Sequence, residues 1–403
     1  MNQLSPMLMP YVDRDVPHAV LEVNQKCNIV CRACYKHKRN ETKSIEQLRK
    51  EVDFLASMRN LNAMTLAGGE PVLHPELPEI IRYISSKGIM VQMLSNGQAL
   101  SDELLEEYRE AGLKEIFLHI DSLQTRADFG PVEKEVELNP LRRKIAEKVT
   151  SHGIVCSLEL TLYQRTLPEL SEIVHFVMDE PLLYRLLITC CNDFGRVVRT
   201  FDGGDVLGLR YPPLHQEESG GGDEFLDAQS VTNQEVEEVL AEAGMTPFAY
   251  VASNRSEKEK RWLFYYSFVI RSSRGWSKKL HFSPRFGNIV RLAYRNARKK
   301  GRPYAFASIY GEFKSVLMCL LYGIGSGHPG VLIGALTFLV HRLRPGARIH
   351  HKSLTFQQGP TVASDGQIEH CRSCPDATLR DGKLVPVCMV DFFYPPAQQA
   401  EED

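Results

Sequence analysis

The sequence predicts an α/β fold built on a parallel sheet of six strands, open or curled towards a partial barrel. Two observations predict it. Between residue 18 and about 190, short apolar runs of strand length alternate with amphipathic segments of helix length, with little sequence spent on connections. Groups able to touch a ligand then recur directly after the runs, which is where the carboxyl ends of parallel strands deliver them.

Each element follows from its local chemistry. His18 to Asn24 is the first strand. Ser44 opens a helix from Ile45 to Arg59, in which Ile45, Leu48, Val52, Leu55 and Met58 recur at helical spacing. Ala63 to Ala67 is the second strand. A helix from Pro75 to Ser86 is stopped by Gly88 before the third strand, Ile89 to Leu94. Ser101 caps a charged helix that ends at Gly112. The fourth, fifth and sixth strands are Glu115 to Ile120, Val155 to Thr161 and Tyr184 to Thr189, with helices around 141–151 and 168–178 between them. Units of this length imply right-handed crossovers.

A chain of 403 residues has room for two or three domains and a large core. With 48 basic against 50 acidic side chains, net charge does not point to a polyanionic partner, and only the distribution of charge can be informative. Met1 to Pro10 has no basic region followed by an apolar run. The ten cysteines are therefore expected as reduced thiols in a cytosolic compartment rather than as a disulfide framework.

The first strand runs into Cys27-Asn-Ile-Val-Cys31-Arg-Ala-Cys34, three thiols within eight residues. Soft thiolates at this spacing suit zinc or one corner of an iron–sulfur cluster. A structural zinc would close its tetrahedron with a fourth ligand, for which only His37 is near. After the second strand come Gly68-Gly69-Glu70-Pro71; after the third, Ser95-Asn96-Gly97; after the fourth, Asp121-Ser122; after the sixth, Cys190, Cys191 and then Gly195-Arg196. Adjacent glycines let backbone atoms approach a ligand without a Cβ in the way. The G-x-G-x-x-G of a nicotinamide-binding domain is missing after the first strand.

CX3CX2C after the first strand and GGEP after the second, about 35 residues apart, resemble the radical SAM superfamily. The resemblance covers residues 18 to about 200. It implies a partial (β/α)6 TIM-type barrel in which Cys27, Cys31 and Cys34 hold a 4Fe–4S cluster and leave one iron for S-adenosylmethionine (SAM). Reductive cleavage of SAM to a 5'-deoxyadenosyl radical is the implied chemistry. It further implies that Gly68, Gly69, Glu70 and Pro71 seat the SAM amino group, that Ser95 and Asn96 are the third-strand equivalent, and that Arg196 lies near the SAM carboxylate. Tyr35 and Asp121 complete the implied cofactor contacts. One departure is local: Ala33 stands where the family often has an aromatic residue, and Tyr35 follows the third cysteine instead.

The second half is less regular. Residues 201–250 carry eleven acids and only Arg210 on the basic side, an acidic insertion or linker; Thr232 and Glu235 then form a capping box for a short helix ending at Gly244. Between Arg255 and Arg302 the sign reverses, with fifteen Lys or Arg against two acids, interleaved with Trp262, Phe264, Tyr265, Tyr266, Phe268, Trp276, Phe282, Phe286 and Tyr294. That mixture suits an anionic membrane interface or a nucleic-acid surface, and a solvated basic face is the plain alternative. From Ser315 to His341 there is no charged residue, but a Gly/Pro break at 323–330 leaves two halves too short to cross a bilayer. A helical hairpin or pair is expected there, either packed as core or forming an interfacial element or hydrophobic tunnel for a long chain.

Cysteines return at Cys371, Cys374 and Cys388, with a strand pair around Asp381-Gly382 between the last two. This resembles a trimmed SPASM or twitch tail. It implies an auxiliary 4Fe–4S cluster on Cys371, Cys374 and Cys388, with His370, Cys319, Cys190, Cys191 or substrate as fourth ligand; a structural zinc is the competing reading. The expected division is an N-terminal extension (1–17), the radical SAM core (18–200), the acidic insertion (201–250), a basic, aromatic and apolar region (251–360) and the cysteine tail (361–403). We expect a cytoplasmic or membrane-surface radical SAM enzyme, served by a low-potential electron donor of ferredoxin or flavodoxin type, with no nucleic-acid partner. The expected substrate is a membrane lipid or isoprenoid chain. Peptide or protein maturation is the alternative, and a metal-binding scaffold, an electron carrier or an RNA-binding module the non-enzymatic ones.

Overall fold

The computed structural model describes residues 5–31, 34, 41–191, 204–206, 209–211, 231–272, 277–303, 312–363, 365 and 367–390. Tyr35, His37, Gly195, Arg196, Trp276 and residues 212–230 of the acidic insertion lie outside them.

Six parallel strands form the heart of an eleven-stranded sheet: β2 (His18–Asn24), β3 (Ala63–Gly68), β4 (Met90–Ser95), β5 (Leu113–His119), β6 (Val155–Leu162) and β7 (Leu183–Cys190), adjacent in that order. The helices between them are α1 (Ile45–Met58), α2 (Leu77–Ser86), α3 (Asp102–Ala111), α4 (Asn139–Ser151) and α5 (Leu170–Asp179). The side chains of Ser44 and Ser101 accept the N–H groups of Gln47 and Leu104, satisfying donors that the first turn of a helix leaves without partners. Gly112 ends α3 at φ 111°, a conformation suited to glycine. In α1 the predicted apolar stripe is buried from Ile45 to Leu55, but Met58 is exposed, because the chain turns away at Arg59.

The sheet does not stop at the sixth strand, as the sequence pattern suggested. Strand β11 (Arg348–Gln358) adds in parallel to β7; β9 (Lys260–Arg271) pairs antiparallel to β11 over ten residues, and β8 (Ala249–Ala252), β10 (Ser277–His281) and the N-terminal β1 (Met7–Leu8) follow. Among the described residues β1 and β2 are its two ends, so the sheet curls without closing.

Strand β9 corrects the reading of the aromatic residues as an interface. Leu263, Tyr265 and Val269 pack into the main core beneath the parallel strands, while Trp262, Tyr266, Phe268 and Ile270 pack into a second core with Phe282, Phe286 and Tyr294. Alternation places both sets inside. Most cations of this stretch stay nearer the surface, but Arg261 is buried and donates to Gly359 O (3.2 Å), Thr361 Oγ1 (2.6 Å) and Glu369 Oε2 (2.7 Å). The second core is roofed by α7 (Phe286–Lys299), α8 (Glu312–Gly325) and α9 (Pro329–Arg342), the last two being the expected helix pair. A shorter helix, α6 (Asn233–Glu242), has the predicted reciprocal Thr232–Glu235 cap and packs on β9 and β11. Among the described residues no helix is long and apolar enough to cross a membrane.

The tail folds back on the first strand. Its hairpin, β12 (Ala377–Arg380) and β13 (Lys383–Pro386), lies against β2, and Arg380 is 2.8 Å from Glu22. Arg59, buried just after α1, donates to the carbonyls of His18 (2.6 Å), Pro375 (3.0 Å) and Cys374 (2.8 Å). A charged donor to buried carbonyls contributes about 1.5–3 kcal/mol per bond, and removing it takes a donor from three acceptors at once, of which Pro375 O keeps only His18 Nδ1 nearby (3.3 Å). Arg59→Ala is expected to lower unfolding free energy by about 2–4 kcal/mol in a urea titration; an unchanged midpoint would show that the tail is held some other way.

Candidate active site

The carboxyl ends of the strands gather around one cavity of about 140 Å³. Its wall takes Gln25 and the three cysteines Cys27, Cys31 and Cys34 from the segment after β2, Gly68, Gly69 and Glu70 from the end of β3, Ser95 and Asn96 from β4, and His119 from β5. Strands β6 and β7 add Glu159, Thr161, Thr189, Cys190 and Cys191; Gly359, Pro360 and Cys388 close it. Three thiols within eight residues of sequence thus face one space. Among the described residues no three His, Cys, Asp or Glu side chains are arranged to hold a single metal ion. A 4Fe–4S cluster asks for something different, one thiolate per iron around a larger body, and the donor set and its placement fit that group.

Three loops are stitched together behind the cysteines. Gly69 N–H donates to Asn24 O (2.9 Å) and Glu70 N–H to Lys26 O (2.8 Å), while Asn24 Nδ2 returns a bond to Glu70 O (3.0 Å). The approach is possible only without side chains: a Cβ on Gly69 would stand 2.2 Å from Lys26 O, and on Gly68, at φ +133°, 2.0 Å from Asn24 O. The Glu70 carboxylate then accepts from Ser95 Oγ (2.8 Å), Asn96 N (2.7 Å) and Val72 N (3.3 Å). Burial pushes its pKa up, opposed by the donors on Asn96, Ser95 and Val72. Finally Asn96 Nδ2 donates to Asn28 Oδ1 (2.7 Å), inside the cysteine segment.

Asp121 is not brought to the cavity wall. Its carboxylate accepts from His119 Nε2 (3.0 Å) and Leu123 N (3.0 Å), and it is His119 that faces the cavity. Burial favours the neutral form of both groups, yet their contact outweighs it: His119 is held above its ordinary value and Asp121 below. Pro71 is buried at the start of a 3-10 turn and does not line the cavity either. Tyr35 and Arg196 lie outside the described residues. Sequence reasoning missed His119, Glu159, Thr161 and Thr189. The signal available was alternation within the last turns of β5 to β7, where every second residue faces inward.

A second cavity, of about 250 Å³, lies beside the first and shares Leu94, Glu159, Thr189, Gly359 and Cys388 with it as lining. It is the concave interior of the sheet. Inward side chains of β2, β3 and β4 carry a polar row, His18 Nε2 to Thr65 Oγ1 (2.9 Å), Thr65 to Gln92 Oε1 (3.3 Å) and Gln92 Nε2 to Glu115 Oε2 (2.6 Å); Arg185 Nε ends it 3.1 Å from Glu115. Above that row Met9, Val20, Leu94, Phe117, Phe248 and Phe264 give an apolar surface. Glu159 stands at the junction, with its pKa pushed up by burial to about 7.

Cys371, Cys374 and Cys388 all line this second cavity. Trp262 Nε1 donates to Cys371 Sγ at 3.2 Å, and the hydrogen bond from Cys374, with that from the indole, holds the Cys371 thiol below its ordinary value. Of the residues considered as a fourth ligand, Cys190 and Cys191 line the first cavity beside Cys388, whereas Cys319 is buried in the second core and His370 faces neither cavity.

Residues 21–177 match the radical SAM superfamily. These residues form a radical SAM domain. Its family uses a 4Fe–4S cluster and SAM. Over 168 residues the chain is 24% identical to the tungsten-containing aldehyde ferredoxin oxidoreductase cofactor-modifying protein of Pyrococcus furiosus, covering 40% of this chain and 47% of that one. Over 177 residues it is 29% identical to the antilisterial bacteriocin subtilosin biosynthesis protein AlbA of Bacillus subtilis, covering 40% of this chain and 37% of the relative. The chain thus spans less than half the length of either. Among solved structures, Streptococcus suis SuiB bound to precursor peptide SuiA superposes with a TM-score of 0.36 at 12% identity, over 44% of this chain and 40% of the other.

The radical SAM domain's glycine pair makes a stringent test of the geometry. Gly69→Ala must push the β3 loop away from Lys26, where the neighbour is backbone and cannot rotate aside. Loss of about 1–3 kcal/mol in thermal or urea unfolding is expected, together with weakened SAM binding; a variant with wild-type stability and SAM affinity would contradict the close approach.

Proposed function

We propose that the chain is a radical SAM enzyme acting on a substrate held in the second cavity. The observation that carries this reading is the adjacency of the two cavities, one lined by Cys27, Cys31, Cys34, Gly68, Gly69 and Asn96, the other by the tail cysteines, with Glu159 and Cys388 lining both. Cys27, Cys31 and Cys34 would hold a 4Fe–4S cluster, which with SAM and one electron from an external donor would supply methionine and a 5'-deoxyadenosyl radical for hydrogen abstraction.

The protein's own residues then have definable tasks. Glu70 fixes the loops after β3 and β4 so that the backbone at Gly68, Gly69 and Asn96 is preorganised for SAM. The tail hairpin and Arg59 close the cavity beside β2, excluding water and competing hydrogen donors. Glu159, titrating near neutrality, is placed to exchange a proton with substrate at the junction. Cys371, Cys374 and Cys388 are the proposed ligands of an auxiliary 4Fe–4S cluster. The indole donor to Cys371 stabilises its thiolate, the form a metal requires.

For the substrate, the largely apolar wall of the cavity favours a lipid or isoprenoid chain, with His18, Gln92 and Arg185 available to a polar end. Peptide maturation is the second reading, supported by the likeness to a protein named for bacteriocin biosynthesis.

Anaerobic reconstitution with iron and sulfide, then dithionite and SAM, is expected to release 5'-deoxyadenosine from wild type and none from Cys34→Ala. No release from a reduced, cluster-loaded wild type would sink the radical SAM activity. Replacing Cys371 and Cys374 by Ala should remove about four iron atoms per chain while SAM still binds. Unchanged iron would eliminate the auxiliary cluster. Deuterium carried into 5'-deoxyadenosine from perdeuterated lipid, and not from peptide, is expected; the reverse would select the second reading.

A further inference from the structure

We propose that α7, α8 and α9 form a docking face for an anionic bilayer surface, separate from both cavities. Eleven large apolar side chains are exposed among the described residues, and eight of them fall on these helices and the residue that ends the last one. The most exposed are Ile324 (68%), Ile333 (63%), Val340 (62%) and Leu343 (83%), with Leu292, on α7, at 61%. An apolar face of this extent on a folded chain needs an occupant.

The helices have an inside to contrast with this outside. Cys319, Tyr322, Ala335 and Phe338 turn into the second core, and Gly323 lets α8 and α9 approach so closely that a Cβ there would meet Leu332 and Ala335 at 3.0 and 3.2 Å. The exposed side chains are therefore not a core left open by poor packing. They are the other face of a well-packed pair.

Charge identifies the occupant. From Arg285 to Arg348 the chain carries eleven Lys or Arg and a single acid, Glu312. Arg291, Arg295 and Lys299 are exposed along α7, Lys314 is exposed near the start of α8, Arg342 is the last residue of α9 and Arg344 follows it. Between the flanks, Ser315 to His341 bears no charge. Apolar side chains in the middle and cations at both margins match the layering of an anionic leaflet, acyl chains beneath phosphate headgroups. A soluble protein partner would present a mixed polar rim, whereas this margin, with eleven cations and one acid, matches only a uniformly anionic one. The length fits as well: each of α8 and α9 has fourteen residues, about 21 Å of helix, enough to lie in one leaflet and too short to cross both.

The face does not depend on the cofactor chemistry, so its test can fail independently of it. The full chain is to be floated with vesicles of phosphatidylcholine alone and with 30% phosphatidylglycerol, at low and high salt and without SAM. Wild type is expected on the anionic vesicles and at least tenfold less on the neutral ones, with salt weakening but not abolishing the binding. Ile324→Glu with Ile333→Glu, both at exposed positions, should reduce binding at least tenfold while leaving the circular dichroism spectrum and SAM-dependent 5'-deoxyadenosine release unchanged. Arg291→Glu with Arg295→Glu should steepen the loss on anionic vesicles only. Wild type remaining in the pellet with anionic vesicles at low salt would overturn the proposal. So would apolar variants that bind like wild type, or sedimentation showing a dimer that the same substitutions break, which would make the face a contact between copies of this chain.

Discussion

The site rests on how closely the end of β3 approaches the chain leaving β2. Gly68 and Gly69 pass so near the carbonyls of Asn24 and Lys26 that no side chain fits, and the bonds from Gly69 N–H and Glu70 N–H hold them there. Once Glu70 is fixed, its buried carboxylate can be satisfied only by Ser95, Asn96 and Val72, which sets the loop after β4. Asn96 in turn reaches Asn28 and so orients the cysteine segment. A chain of close contacts, each requiring the last, converts three loops into one rigid rim.

That rim faces a concave interior rather than open solvent because the sheet continues past β7. Strands β11 and β9 extend the curl, and the tail seats its cysteines against the same interior, anchored by Arg59 and by Trp262. Two cysteine groups more than 300 residues apart in sequence therefore border adjoining cavities, with Cys388 lining both. The second core serves another purpose: it gives α7, α8 and α9 a firm base from which to present their apolar and cationic outer faces.

Much of this was legible in the sequence where local chemistry and tertiary position agree. The six parallel strands, the Ser44, Ser101 and Thr232 caps, the tail hairpin and the three cysteines with their glycine pair could be read because each carries a local signature. Strand β9 could not. It is buried on both faces, so Lys260 to Arg271 shows no polar alternation, and its aromatic residues among cations imitate an interface. Asp121 was misplaced for a similar reason: its position after a strand is right, but His119 two residues earlier takes the cavity and turns the carboxylate into its own partner. Arg59 and Glu159 act only through contacts distant in sequence, Arg59 with the tail carbonyls and Glu159 with a junction that the whole sheet creates. No local pattern marks Arg59, and alternation along β6 marks Glu159 only as facing inward.

Electron paramagnetic resonance of the reconstituted, dithionite-reduced protein tests the central claim most directly, because it reports separately on the cysteine group at the rim and on the one in the tail. Two paramagnetic signals are predicted. Adding SAM should shift one of them, and Cys34→Ala should remove that one and leave the other, which Cys371→Ala with Cys374→Ala removes instead. A single signal indifferent to SAM, or a spectrum that Cys34→Ala does not change, would contradict the account.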